Sequence, residues 1–104
     1  MSRQRPSANP GTPPAPTAWE AIFDPDFLED LAFFVSTNPR LATRILDLVK
    51  AVLRDPFAGI GKPEPLRGQA AGAWSRRISQ EHRLVYVIGD RRVFFIQARY
   101  HYEK

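Results

Sequence analysis

A chain of 104 residues with no cysteine and a formal charge of +4 excludes a disulfide-stapled domain, thiolate chemistry and a second unit with a core of its own. The charge is unevenly divided: residues 19–58 hold four basic groups against seven acids, and residues 59–104 hold nine against four. A basic C-terminal half suits a polyanion such as nucleic acid, although taken alone it is also what an ordinary solvated surface looks like.

Residues 1–18 contain five of the ten prolines, two arginines and no acid. Such a segment buries too little apolar surface to offset its ordering entropy, so it reads as a disordered leader ahead of one domain spanning 19–104. Neither a signal-peptide core nor a membrane-spanning apolar run is present, and no membrane is expected as a partner. Cysteine-free composition is compatible with the cytoplasm.

Residues 19–23 form a short apolar run that predicts a first strand. Asp24-Pro25 then gives a helix start, with Phe27, Leu28, Leu31, Phe34 and Val35 as its core stripe up to Thr37. Asn38-Pro39 repeats that start for a second helix, with Leu41, Ile45, Leu48, Val49 and Val52 on one face and an end near Asp55-Pro56. Two antiparallel helices are expected. Residues 57–72 are rich in Gly and Pro without a period and read as an extended loop, in which Pro63 and Pro65 hold Glu64 on a stiff segment.

Three strands follow, at 74–78, 83–88 and 93–100, turned at Ser79-Gln80-Glu81 and at Gly89-Asp90. The order β-α-α-β-β-β predicts an α+β domain with the helix pair packed on one face of an antiparallel sheet. Gly89 and Asp90 as the turn would pair Ile88 with Arg91, and a three-residue loop at 79–81 would pair Ile78 with His82 and Arg77 with Arg83. Like charges opposed across a sheet are unfavourable, so the Arg77–Arg83 pair suggests an anion between them. Alternation of strand side chains keeps Arg76 off that face.

No phosphate loop, nucleophile elbow or metal-ligand spacing is present, so no metal and no cofactor are expected. Acid, base and guanidinium remain, which suffice to cut RNA because the ribose 2′-OH is the nucleophile. Glu64 on its proline-flanked loop is the candidate base, Arg83 with Arg77 the phosphate anchor, and His101 the candidate acid. Tyr100 and Tyr102 around His101 offer planes for base stacking. His82, beside Glu81 at a turn, reads as structural.

Four motifs in order, Gly61-Lys62-Pro63-Glu64-Pro65-Leu66, Trp74-Ser75-Arg76-Arg77-Ile78, Glu81-His82-Arg83-Leu84-Val85-Tyr86 and Arg99-Tyr100-His101-Tyr102, resemble those of the Txe/YoeB family within the RelE-like superfamily. The resemblance covers about Trp19 to Tyr102 and implies a RelE-like fold with ribosome-dependent endoribonuclease activity on mRNA in the decoding A site. It places the family's catalytic groups on Glu64, Arg83, His101 and Tyr102, and further RNA contacts on Lys62 and Arg77. It also implies a Phd/YefM-type antitoxin as partner and a possible homodimer. Ile60 stands where a lysine is usual, and Glu103-Lys104 extend past the usual last tyrosine. The rival from another class is a non-catalytic binding toxin of the ParE-like, gyrase-poisoning kind; loss of Glu64, Arg83 or His101 would favour it, and all three are present. In the simple register Tyr102 shares a face with Arg83 and His101 does not, so a bulge or bend near the end of the last strand is required.

Overall fold

Two prolines set the starts of two helices. The computed structural model describes residues 19–68 and 71–99. Its first strand, β1 (Glu20–Phe23), ends at Asp24, whose extended backbone precedes Pro25 and helix α1 (Pro25–Thr37). One residue, Asn38, ends α1 and precedes α2 (Pro39–Arg54). Neither Asp24 nor Asn38 caps its helix through the side chain. Proline at the first helical position does the work, because its fixed φ suits the helix and its missing N–H is one that would go unpaired there.

Helix α2 buries the predicted stripe of Ile45, Leu48, Val49 and Val52 and adds Ala42. Helix α1 differs from expectation. Phe27 and Phe34 are buried, but Leu28 and Val35 are exposed, and the third buried position is Asp30. Its apolar stripe is therefore narrower than the spacing suggested.

Five strands form one mixed sheet in the order β1-β5-β4-β3-β2, with β2 at Glu64–Pro65, β3 at Ala73–Arg77, β4 at Arg83–Ile88 and β5 at Arg92–Gln97. This corrects the wholly antiparallel sheet expected from sequence: β1 lies parallel to β5, with Glu20 opposite Arg92 and Phe23 opposite Phe95. Partnership between the first and last strands is non-local, and the hydrophobic pattern of either alone does not encode it. The segment read as loop also contributes β2, where Glu64 pairs with Ser75 and Pro65 with Trp74. Proline is tolerated there because β2 is an edge strand.

Arg77 lies opposite Arg83, as the three-residue loop requires, and Ile78 N–H donates to His82 O at 2.9 Å. The other hairpin is shifted. Ile88 pairs with Val93, and Gly89 N–H donates to Arg92 O at 2.8 Å, so Asp90 and Arg91 form the turn. Arg91, with φ 61°, takes the left-handed conformation that more often falls to glycine. A bulge follows: Tyr86 pairs with Phe95 but Val85 with Gln97, leaving Ile96 as the extra residue.

The core joins α1 and α2 to one sheet face through Ile78, Leu84, Tyr86, Val93, Phe95 and Ala98. Arg76 is buried among them with no exposed surface. Its guanidinium donates to Tyr86 Oη (3.1 Å), Ile60 O (3.1 Å), Asp55 O (2.6 Å) and Ala58 O (3.1 Å), while the Tyr86 hydroxyl donates to Pro56 O at 2.8 Å. Four of these acceptors lie at or just past the C-terminus of α2, where free carbonyls and the helix dipole favour a cation. Arg44 on α2 reciprocates, donating to Arg77 O at 3.1 Å. Arg76 thus ties β3 to the segment leaving α2, and Arg44 ties β3 to the first half of that helix.

Burial pushes the Tyr86 phenol above its ordinary value, opposed by its hydrogen bond from Arg76. The protonated form is therefore favoured in the fold. Its contribution is fully present below about pH 10 and is lost as pH rises through the raised folded value. Tyr86→Phe should lower stability by about 1–3 kcal/mol at neutral pH and flatten the alkaline decline. Arg76→Met, which strips donors from buried oxygens, should cost more than Tyr86→Phe, at about 1–3 kcal/mol for each acceptor left buried and unpaired. Urea unfolding between neutral pH and pH 11 measures both.

Candidate functional site on the sheet face opposite the helices

Alternation along β3 and β4 sends Arg76, Ile78, Leu84 and Tyr86 to the helices and Ser75, Arg77, Arg83 and Val85 to the other face. In register, Glu64 of β2 lies beside Ser75, Ser75 beside Val85, and Val85 beside Gln97 of β5, one row across four strands. Arg83 starts the neighbouring row opposite Arg77. Its Nη1 donates to Glu64 Oε2 at 3.3 Å and to Ser75 Oγ at 3.2 Å. Residues from three separate stretches of chain thus meet at one guanidinium.

The Arg83 and Glu64 side chains are 41% and 56% exposed. A pair so open to water contributes at most about 1 kcal/mol, so it separates readily for an incoming anion. Ser75 is the opposite case, fully buried beneath that pair. Its place two residues before Arg77, on the same face of β3, is the one sign of this role in the sequence.

Two devices hold Glu64 in position. The loop ahead of it is fixed by Arg76, and by Arg77 N–H donating to Gly61 O at 2.6 Å. Gly61 has φ 87°, and a Cβ there would lie 2.8 Å from Leu48 Cδ2, so the turn admits no side chain at that point. Lys62 follows with φ 52° and is exposed. Arg77 is exposed beside Arg83, so both cationic heads of the opposed pair face solvent. Arg76 is excluded from this face, as the alternation predicted. The His82 ring packs against Phe34 at 5.0 Å between centroids.

Tyr100, His101 and Tyr102 lie outside the described residues. Immediately before them, the bulge at Ile96 changes the facing of β5. Gln97 joins the row of Val85, and Ala98 is buried on the helix side. Here β1 has ended, and the exposed edge of β5 is closed by α1 instead. Ala98 N–H donates to the buried Asp30 carboxylate at 2.9 Å, and the Arg99 guanidinium lies 3.6 Å from the Phe33 ring centroid. A cavity of about 760 Å³ at this edge is lined by Asp26, Glu29 and Asp30 among others. Three acids make it a poor seat for a polyanion. The basic face around Arg77 and Arg83 is the better one.

A helix pair on one face of a mixed sheet, with a carboxylate and paired guanidinia on the other, defines a RelE-like α+β protein. Residues 23–102 match the family model described as the YoeB-like toxin of bacterial type II toxin–antitoxin systems. The chain is 55% identical to the toxin YoeB of Mycobacterium bovis over 80 residues, covering 77% of this chain and 94% of that relative. The structure is similar to the YoeB dimer of Staphylococcus aureus, with TM-score 0.73, 36% identity, and 82% and 99% of the two chains covered. It is likewise similar to the YoeB–YefM complex of that organism, with TM-score 0.72, 38% identity, and 81% and 98% covered. The chain belongs to the YoeB family of toxins.

Asp30→Ala should remove the acceptor of a buried N–H and cost about 1–3 kcal/mol. Asp30→Asn, which keeps an acceptor oxygen, should recover much of that loss. Urea unfolding gives the energies, and amide exchange at Ala98 shows whether the strand end is what loosens.

Proposed function

We propose that this protein is a metal-independent endoribonuclease that cuts mRNA in the ribosomal A site and thereby inhibits translation. The single observation that carries the reading is the meeting of the Glu64 carboxylate and the Arg83 guanidinium at 3.3 Å on a basic sheet face, with Arg77 directly across from Arg83.

In this reading the RNA phosphate displaces the water-exposed contact between Arg83 and Glu64, and Arg83 with Arg77 takes its oxygens. The freed Glu64 carboxylate removes the proton from the ribose 2′-OH. The 2′-oxygen forms a bond to phosphorus as the bond to the 5′-oxygen breaks, leaving a 2′,3′-cyclic phosphate and a 5′-hydroxyl. The guanidinia stabilise the charge that builds on the phosphorane, and His101 supplies the proton to the departing oxygen. Tyr102 takes part as a catalytic group at the chain end. Lys62 and Tyr100 hold the flanking RNA, Tyr100 by stacking.

The known YoeB–YefM complex and YoeB dimer support a Phd/YefM-type antitoxin and a homodimer as partners of this chain. Among the described residues no helix is long and apolar enough to cross a membrane; the proposed action on ribosomes is what places the protein in the cytoplasm.

Single-turnover cleavage of message on programmed ribosomes tests the chemistry. The message should be cut within the A-site codon, with Glu64→Ala and His101→Ala slower by roughly 10² to 10⁴-fold. Equal rates for wild type and both variants would remove the assigned roles. Growth arrest on expression should be relieved by co-expressing the adjacent antitoxin gene. Arrest that persists with that partner folded and bound would defeat the antitoxin reading.

A further inference from the structure

A second hollow adjoins Arg83 on the side away from Glu64. It measures about 320 Å³ and is lined by Glu81, Arg83, Val85, Gln97 and Arg99, near the lower end of the range of roughly 300–1,000 Å³ for clefts that hold small ligands. Val85 gives it an apolar floor, and the remaining lining is charged or amide. Arg99 is pinned over Phe33 at 3.6 Å, and a guanidinium plane is a surface on which a base can stack. A nucleotide whose phosphate sits at Arg83 has its base within reach of this hollow.

The bulge decides which side chain meets that base. With Ile96 as the extra residue, Gln97 rather than Ile96 falls in line with Val85. Bulges commonly re-aim a side chain beside a site in this way. Gln97 Nε2 donates to Arg99 O at 3.3 Å. That bond engages one amide N–H, and among the described residues no contact commits the amide oxygen, which accepts from an amine but not from another carbonyl.

We propose that the hollow is a nucleobase subsite for the nucleotide beside the scissile phosphate, and that Gln97 selects bases bearing an exocyclic amine. The inference rests on the nuclease reading above and deepens it by naming a specificity residue. Glu81, also an acceptor at the rim, reinforces the same choice, while Arg83 and Arg99 serve the phosphate and the ring.

The test compares messages on programmed ribosomes that differ by one amine at either nucleotide flanking the cut: guanosine against inosine, and adenosine against purine riboside. For wild type, removing the amine at one of the two positions should lower kcat/KM on the order of tenfold, the discrimination expected for a lost base-edge contact. In Gln97→Leu the ratio should fall to near one. In Gln97→Glu, which keeps an acceptor but loses the donor to Arg99 O, the ratio should persist. Because each ratio is taken within one protein, a change in overall rate or stability cancels. Equal cutting of amine-bearing and amine-free messages by wild type overturns the proposal. So does a ratio retained in Gln97→Leu, or one lost in Gln97→Glu as in Gln97→Leu, since the latter marks a residue that only supports the backbone. Failure of wild type to cut any message is distinct: it removes the nuclease reading, and the subsite with it.

Discussion

The buried guanidinium of Arg76 is the constraint on which the geometry of this domain depends. A cation without solvent is tolerated only where oxygens surround it, and here they come from Asp55, Ala58, Ile60 and Tyr86. Three of the four are backbone carbonyls of the segment that leaves α2. That segment lacks regular structure up to β2 and would otherwise have little to hold it. Its fixation is transmitted to Glu64, which follows Ile60 by four residues and ends on an edge strand of only two residues. Arg76 touches none of the proposed reacting groups. It stands on the opposite sheet face and fixes where one of them lies.

The site itself has the reverse character. Glu64, Arg77 and Arg83 are water-exposed to differing degrees, and the contact between Glu64 and Arg83 is weak enough to exchange for a phosphate. A buried pair at that position would be costly to open, whereas a fully free arginine would lose more side-chain entropy on capturing an anion. Ser75 resolves this by holding Arg83 at 3.2 Å from beneath, so the guanidinium is oriented while its pairing remains replaceable. Rigid support below and replaceable contacts above are consistent with a surface that must receive a large polyanion.

Most local features of this architecture were legible in the sequence, and the non-local strand pairing was not. The Arg77–Arg83 register followed from a short turn, and the opposite facing of Arg76 from strand alternation. Both helix starts were readable from Pro25 and Pro39, although the side chains of Asp24 and Asn38 do not cap them. Besides β2 and the narrow apolar stripe of α1, three features escaped. The parallel pairing of β1 with β5 depends on chain ends brought together by the whole fold. The β4–β5 turn was misplaced because Arg91 adopts a conformation usually left to glycine, which shifts every pair in the hairpin. Ser75 looked like a neutral strand residue because its importance lies in what covers it. For the candidate site, Glu64, Arg77 and Arg83 were chosen from chemistry and are found together, while Tyr100, His101 and Tyr102 lie outside the described residues.

The end of β5 shows how one irregularity can serve both fold and function. After Phe23 the first strand leaves the sheet, and the edge of β5 loses its partner just where the chain approaches the site. An edge left open there would expose unpaired backbone and invite pairing with another chain. Helix α1 closes it with a carboxylate on Ala98 N–H and an aromatic ring under Arg99. Asp30 can reach that N–H because the bulge at Ile96 turns Ala98 inward, and the same turn aligns Gln97 with Val85 on the outer face. Regular pairing of Ile96 with Val85, without the bulge, would reverse both facings at once: the Asp30 contact would be lost and an apolar side chain would replace the amide. The stability of this edge and the chemistry offered to a bound base are therefore coupled through a single bulge.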